Sequence, residues 1–321
     1  MRALWHHWVE LWSHREHPRV LAVVRIGVAL VLLWDLATVA ILGLVPVLWA
    51  PMEAGGIPTV LQRDTVPWAF RVLPPEPSSA WALWSLMTAS ALALAVGWRT
   101  RLAALLGLLV SAQLALITPL ADRGIDMLLR NTLLLLACSG AGEAWSWTAR
   151  QRSGRWSGDP EHRVPAWPRH LLVLQLLVMY GTAGLQKTGL PWTPFGGYSA
   201  LYIVLKDPSI AAGPLPWLEP LYPLTQLGTA TTVLFEVSAL GVLGVYWLRL
   251  THARGGRLRG WVSRRRPHLW WLAVGVGLHL GIAGTMALGI FPFAILALYP
   301  ALLHPNELRA LAQRFRALRP G

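Results

Sequence analysis

The stretch RVLAVVRIGVALVLLWDLATVAILGLVPVL, Arg19 to Leu48, decides the fold class. As a helix, such an apolar run is long enough to cross a hydrocarbon core about 30 Å thick. It is also too long for the apolar part of a signal peptide, so no cleavable leader is expected. Seven further apolar runs follow, near 80–98, 102–121, 124–141, 169–187, 225–248, 268–288 and 289–304. The last two share one run, divided at Gly289-Ile-Phe-Pro292. The expected fold is an all-α integral membrane protein, a bundle of about eight transmembrane helices. Its organisation would be an interfacial amphipathic helix at 1–18, one membrane domain at 19–304 and a basic tail at 305–321.

Composition agrees. Hydrophobic residues make up 55% and charged residues 13% of the 321, and mean hydropathy is +0.47. Nineteen tryptophans suit a chain with many membrane–water boundaries, where indole is favoured. The net charge of +13 does not point to nucleic acid, because the arginines gather in short loops between apolar runs. Placing the N-terminus in the cytoplasm puts 21 basic residues in inner segments and only Arg63, Arg71, Arg123 and Lys206 in outer ones. An odd number of spans would break that alternation, so both termini are expected inside a cell membrane. The sole cysteine, Cys138, excludes an intrachain disulfide.

At the N-terminus, Trp5, Trp8 and Trp12 share one helical face, as in a helix lying in the interface. His7, His14 and His17 read as its polar face rather than as metal ligands, since no acidic or cysteine partner has ligand spacing. Two outer connections, 49–79 and 188–224, are rich in Pro, Gly and Trp. They are expected to carry short amphipathic or re-entrant pieces.

Ionisable residues within the spans are few: Arg25, Asp35, Asp126, Arg130, Lys187, Glu236 and His279. Each is costly in hydrocarbon unless it faces the bundle interior or a watery cavity. Helical rise puts all but Arg25 in the outer half or near the midplane, where one polar cavity open to the outside would collect them. Asp126 and Arg130, four apart, form an expected ion pair. Arg25 would snorkel inward, and Gly277, Gly281 and Gly284 would serve close helix packing. Lys187, one of two lysines, ends an apolar run. Unlike arginine it can lose its proton when desolvated, so it reads either as a base or as a helix-end anchor. His279 reads either as a site residue or as a hydrogen-bonded packing residue.

Val164-Pro-Ala-Trp167, Gln175, Tyr180, Ala183-Gly184, Lys187, Trp192 and Gly197-Tyr-Ser199 together resemble the central segment of vitamin K-dependent gamma-carboxylase and its bacterial relatives, the horizontally transferred transmembrane (HTTM) domain proteins. Pro18 to Asp35, with Arg25, is similar to that family's first span. Gly97-Trp-Arg-Thr-Arg101 is similar to a tight inner turn, and His279 with Leu288-Gly-Ile-Phe291 to the last segments. The resemblance implies a bacterial inner-membrane protein and a lyase-type chemistry. A lysine deprotonates vitamin K hydroquinone or menaquinol, and oxygen converts the anion into a strong base. That base takes the γ-proton of a glutamate in a protein or peptide, carbon dioxide adds, and the quinone leaves as its epoxide. Lys187 would be the base and His279 would orient an intermediate. Trp192, Tyr198, Tyr180, Glu236 and Asp35 would shape the quinol pocket. The competing reading is a non-enzymatic lipid- or small-molecule-binding membrane protein, or a transporter.

Overall fold

The computed structural model describes residues 5, 9, 12–62 and 65–317, without the side chains of 315 and 316. It is 73% helical. Eight helices carry the architecture: α1 (Arg19–Ile41), α2 (Pro77–Val96), α3 (Thr100–Ile117), α4 (Gly124–Ala137), α5 (Trp167–Gln186), α6 (Tyr222–Leu250), α7 (Pro267–Thr285) and α8 (Phe291–Leu298). Four of them, α1, α2, α3 and α6, are both long and apolar enough to cross a membrane. α5 and α7 match them in length, with 20 and 19 residues, but are diluted by Trp, His, Tyr and Gly. α4 and α8, at 14 and 8 residues, rise only about 21 and 12 Å.

The chain divides into two compact units: Trp12–Arg169 with His304–Gly321, and Met1–Leu11 with His170–Leu303. In the first, α1 packs on α2, α2 on α3, α3 on α4, and α4 returns to α1. Small residues let these helices approach closely. Gly107 of α3 sits against Ser90 of α2, whose hydroxyl donates to the Ala103 carbonyl at 2.7 Å. Leu83, Met87, Leu94, Leu114, Leu129, Leu133 and Leu136 fill the interior, while Leu30, Leu102 and Leu109 point outward and are exposed. Large apolar side chains rarely form such outward faces in water; lipid is their natural solvent. The α2–α3 turn needs Gly97, in the left-handed region at φ 75°, with its N–H on the Ala93 carbonyl.

Gly97 also explains Arg25. That side chain does not snorkel: it is fully buried. Its guanidinium donates to the carbonyls of Ala141 (3.3 Å) and Trp145 (2.6 Å), and a Cβ on residue 97 would collide with it. Backbone carbonyls of the 138–146 turn thus meet its charge. A two-residue antiparallel ribbon, Arg15–Glu16 with Val164–Pro165, sits beside a fully buried ion pair between Glu16 and Arg169 (2.7 and 2.8 Å). The expected helix over 1–18 therefore gives way to a strand at Arg15. Its face residues His7 and Trp8 lie outside the described residues.

In the second unit α6 packs against α7, against the short helix Ala200–Lys206 and against the helix Arg257–Arg265, and α7 packs on α8. A break at 286–290 separates α7 from α8, near the expected division. The close-packing glycines differ from those expected. Gly181 and Gly184 of α5 lie against Leu240 and against Glu236–Val237 of α6, and Gly275 lies against Phe235 and Tyr299. Around Gly277, Gly281 and Gly284 a Cβ would meet nothing.

Candidate active site at the end of helix α5

Tyr180 and Gly184 lie four apart on α5, and Lys187 follows its last residue with its N–H on the Gly184 carbonyl, so the three line one side over about 10 Å. Two clusters form along that face, both within the second unit.

At the helix end, Lys187 Nζ lies 2.5 Å from Glu236 Oε2, and both side chains are largely buried, at 18% and 12% exposure. Gly184 makes this possible: without a Cβ, α5 approaches α6 at Glu236. Lys187 Nζ also sits over the indole of Trp192, 4.9 Å from its centroid. The chain after α5 turns back through Leu190–Trp192 and Pro194–Gly196, and the first of these turns contacts α6. Gly197 and Tyr198 both adopt left-handed backbone, at φ 63° and 50°. Gln226 of α6 holds that turn by donating to the Gly197 carbonyl at 2.6 Å.

Two turns earlier, Tyr180, His279 and Tyr299 form a buried hydrogen-bonded set. His279 Nδ1 is 2.9 Å from the Gly275 carbonyl, which fixes it as the protonated nitrogen. Nε2 then accepts from Tyr180 Oη at 3.1 Å, and Tyr180 Oη accepts from Tyr299 Oη at 2.8 Å. Phe235 and Trp271, stacked 4.2 Å apart, pack edge-on to Tyr180. Every polar atom of the set finds a partner. Tyr299 was the member not anticipated; its only signal was a hydroxyl-bearing ring inside an apolar run before Pro300.

An apolar cavity of about 420 Å³ lies in the same unit, between residues 201–205, α6 and α7. Leu227, Gly228, Thr232, Leu278 and Gly281 are among its walls, and neither Lys187 nor His279 lines it. Glu236 stands one turn beyond Thr232 on the same face of α6.

Asp35 belongs to the first unit. There Arg123 bridges it (2.7 Å) to Asp126 (2.8 Å), while Arg130 makes two 2.7 Å bonds to Asp122. The expected Asp126–Arg130 pair is not formed. Asp126 instead accepts the Arg123 backbone N–H at 2.9 Å, capping α4, and this turns its carboxylate away from Arg130. A cavity of about 260 Å³ opens on these charges. Lys187 and Glu236 are thus brought together with Trp192, Tyr180 and His279 with Tyr299, and Asp35 with Arg123.

A family model for the HTTM domain matches residues 14–207. The chain belongs to the HTTM domain family. HTTM is a membrane domain associated with vitamin K-dependent carboxylase. The matched span contains Asp35, Tyr180, Lys187, Trp192 and Tyr198, and ends before Glu236 and His279. No curated protein and no solved structure matches this HTTM chain.

Proposed function

We propose that this HTTM protein is an eight-span, multi-pass protein of the bacterial inner membrane with both termini cytoplasmic, and that it deprotonates a membrane quinol at the Lys187–Glu236 pair. The observation that carries the chemistry is the pair itself: an amine and a carboxylate 2.5 Å apart, sheltered, under an indole, at the mouth of a helix. As an ion pair it is net neutral. Accepting one hydroxyl proton leaves the carboxyl and the ammonium together with a net charge of +1, beside the oxyanion that the proton has left. The charge created on the quinol is therefore offset where it forms, in a site of low dielectric where such offset counts most. When the proton shared within the pair rests on Glu236, Lys187 is the neutral amine that takes the quinol proton; the end state is the same carboxyl and ammonium, and Lys187 is the base.

The residues present fit an aromatic diol with a long apolar tail. Trp192 offers an indole face beside Lys187, Tyr198 follows on the next turn, and the apolar cavity begins one turn along α6 from Glu236. The quinol, menaquinol or vitamin K hydroquinone, supplies with oxygen the strong base that carboxylation of a glutamate by carbon dioxide requires. Tyr180 and His279 act one shell away, fixing α5, α7 and Tyr299 so that Glu236 stays opposite Gly184. Asp35 serves the charged cluster of the first unit.

The test is oxygen-dependent epoxide formation from reduced menaquinone by purified protein, Lys187→Ala and Glu236→Gln. Turnover by the native protein and loss of 10²-fold or more in both variants is expected. Equal rates in all three would remove the pair from the chemistry. The apolar cavity favours one second reading, a non-enzymatic lipid- or quinone-binding protein; saturable menaquinol binding without epoxide would select it.

A further inference from the structure

At the start of α1 in the first unit, cationic groups from four segments converge. The antiparallel ribbon pairs Arg15 with Pro165 and Glu16 with Val164, so the next pair in that register is His17 with Arg163. Arg19 opens α1, and the C-terminal helix carrying Arg309 packs against α1. Charges on Arg19, Arg163, Arg309 and His162 all act on His17. Two described acids nearby are engaged elsewhere: Glu16 is locked to Arg169, and Glu307 accepts the His304 backbone N–H at 2.8 Å. A third, Glu161, pairs at 4.0 Å with Arg163 itself but is 90% exposed, and the Arg163 guanidinium also donates to the Pro160 and His162 carbonyls. α1 itself begins with no acidic residue in its first turn, and the His17 ring that accepts the Arg19 N–H brings no negative charge, so the positive end of the helix is uncompensated.

His17 marks the centre. It is 7% exposed. Its Nδ1 accepts the Arg19 backbone N–H at 3.3 Å, so the ring proton is on Nε2, and Nε2 is buried without a partner. A buried donor left unmade is costly, and here it is surrounded by guanidinium charge. Burial first, then Arg19, Arg163, Arg309 and His162, hold the imidazole down to about 4, so the ring is neutral at physiological pH.

We propose that His17, Arg19, Arg163 and Arg309, with the open N-terminus of α1, form a binding site for a phosphate group. Several guanidiniums, a neutral N–H donor and the first-turn amides of α1 beyond Arg19 match a tetrahedral oxyanion, which has enough acceptor oxygens to satisfy them together. The phosphate is either that of an anionic lipid headgroup or free in solution. Neither the site nor its ligand depends on the quinol reading, because no residue is shared.

The experiment uses full-length protein, stripped of lipid in maltoside micelles. It is titrated with dihexanoyl phosphatidylglycerol, with inorganic phosphate, and with sodium chloride at matched ionic strength, while thermal unfolding is followed. Histidine ¹⁵N NMR reports on His17 Nε2. Saturable stabilisation beyond chloride is expected, with a shift of the His17 Nε2 resonance. The apparent Kd should rise about 10-fold or more in Arg309→Gln and again in Arg163→Gln/Arg309→Gln, both variants keeping the native unfolding profile without ligand. A response to phosphatidylglycerol alone identifies a lipid headgroup, and a response to phosphate identifies a soluble anion; either supports the site. No stabilisation beyond chloride, or an unchanged Kd in the double variant, overturns it.

Discussion

Single residues in this protein do work that their neighbours in sequence do not disclose. Arg25 is the clearest case, a guanidinium buried whole whose charge is met by backbone carbonyls of Ala141 and Trp145. Arg25→Leu leaves those carbonyls buried and unmade, at about 1–3 kcal/mol for each. Gly97→Ala pushes into the same guanidinium and strains a left-handed turn. Both variants should unfold several degrees below the native protein in a detergent thermal scan, while Gly43→Ala, also left-handed but open, should lose less. His17 gives a pH dependence of definite sign. Its folded value of about 4 lies below the ordinary histidine value, so the unfolded chain binds the extra proton between the two. Stability contributed by neutral His17 is present above pH 6.5 and is lost as pH falls toward 4. The unfolding temperature should decline over that window, and His17→Gln should flatten the decline.

Among elements, the contact of α5 with α6 decides the site. Gly184 has no room for a side chain against Glu236, whereas Gly281 of α7 faces the empty side. Gly184→Val should therefore separate the helices, cost about 1–3 kcal/mol and abolish quinol deprotonation together with the Lys187–Glu236 contact. Gly281→Val should leave stability nearly unchanged and shrink the apolar cavity, weakening binding of long-tailed quinones more than of tail-less naphthoquinol. Similar effects from the two variants, measured by unfolding and by turnover, would refute this division of labour. α5 and α7 carry Tyr180, Trp271, Gly275 and His279 in place of aliphatic residues where the buried network is built.

For the whole molecule, the membrane disposition is open to direct test. Introducing single cysteines into a Cys138→Ser background should place positions 155 and 258 on one face and positions 76 and 213 on the other, read by an impermeant maleimide on intact and opened vesicles. Labelling of 155 and 213 from the same side would refute the eight-span arrangement. Much of this was legible in the sequence. Apolar runs announce helices wherever lipid is the solvent, since backbone groups must then be satisfied within each segment. Lys187 stood out because an amine, unlike a guanidinium, can lose its proton when desolvated, with a helix-end anchor the equal alternative, and Glu236 because no cation lies within one turn of it on its helix. What could not be read was who pairs with whom. Asp126 was expected to meet Arg130 and instead caps α4 beside Arg123; His279 read as either a site or a packing residue, and its two tyrosine neighbours were not readable. Chain order thus determined the helices, their apolar faces and the short roster of polar residues among them, because those follow from local periodicity and solvent. The tertiary structure alone decided their partners, because a carboxylate or guanidinium takes the nearest complementary group in three dimensions, and which group is nearest depends on where glycines such as Gly97 and Gly184 let backbones close.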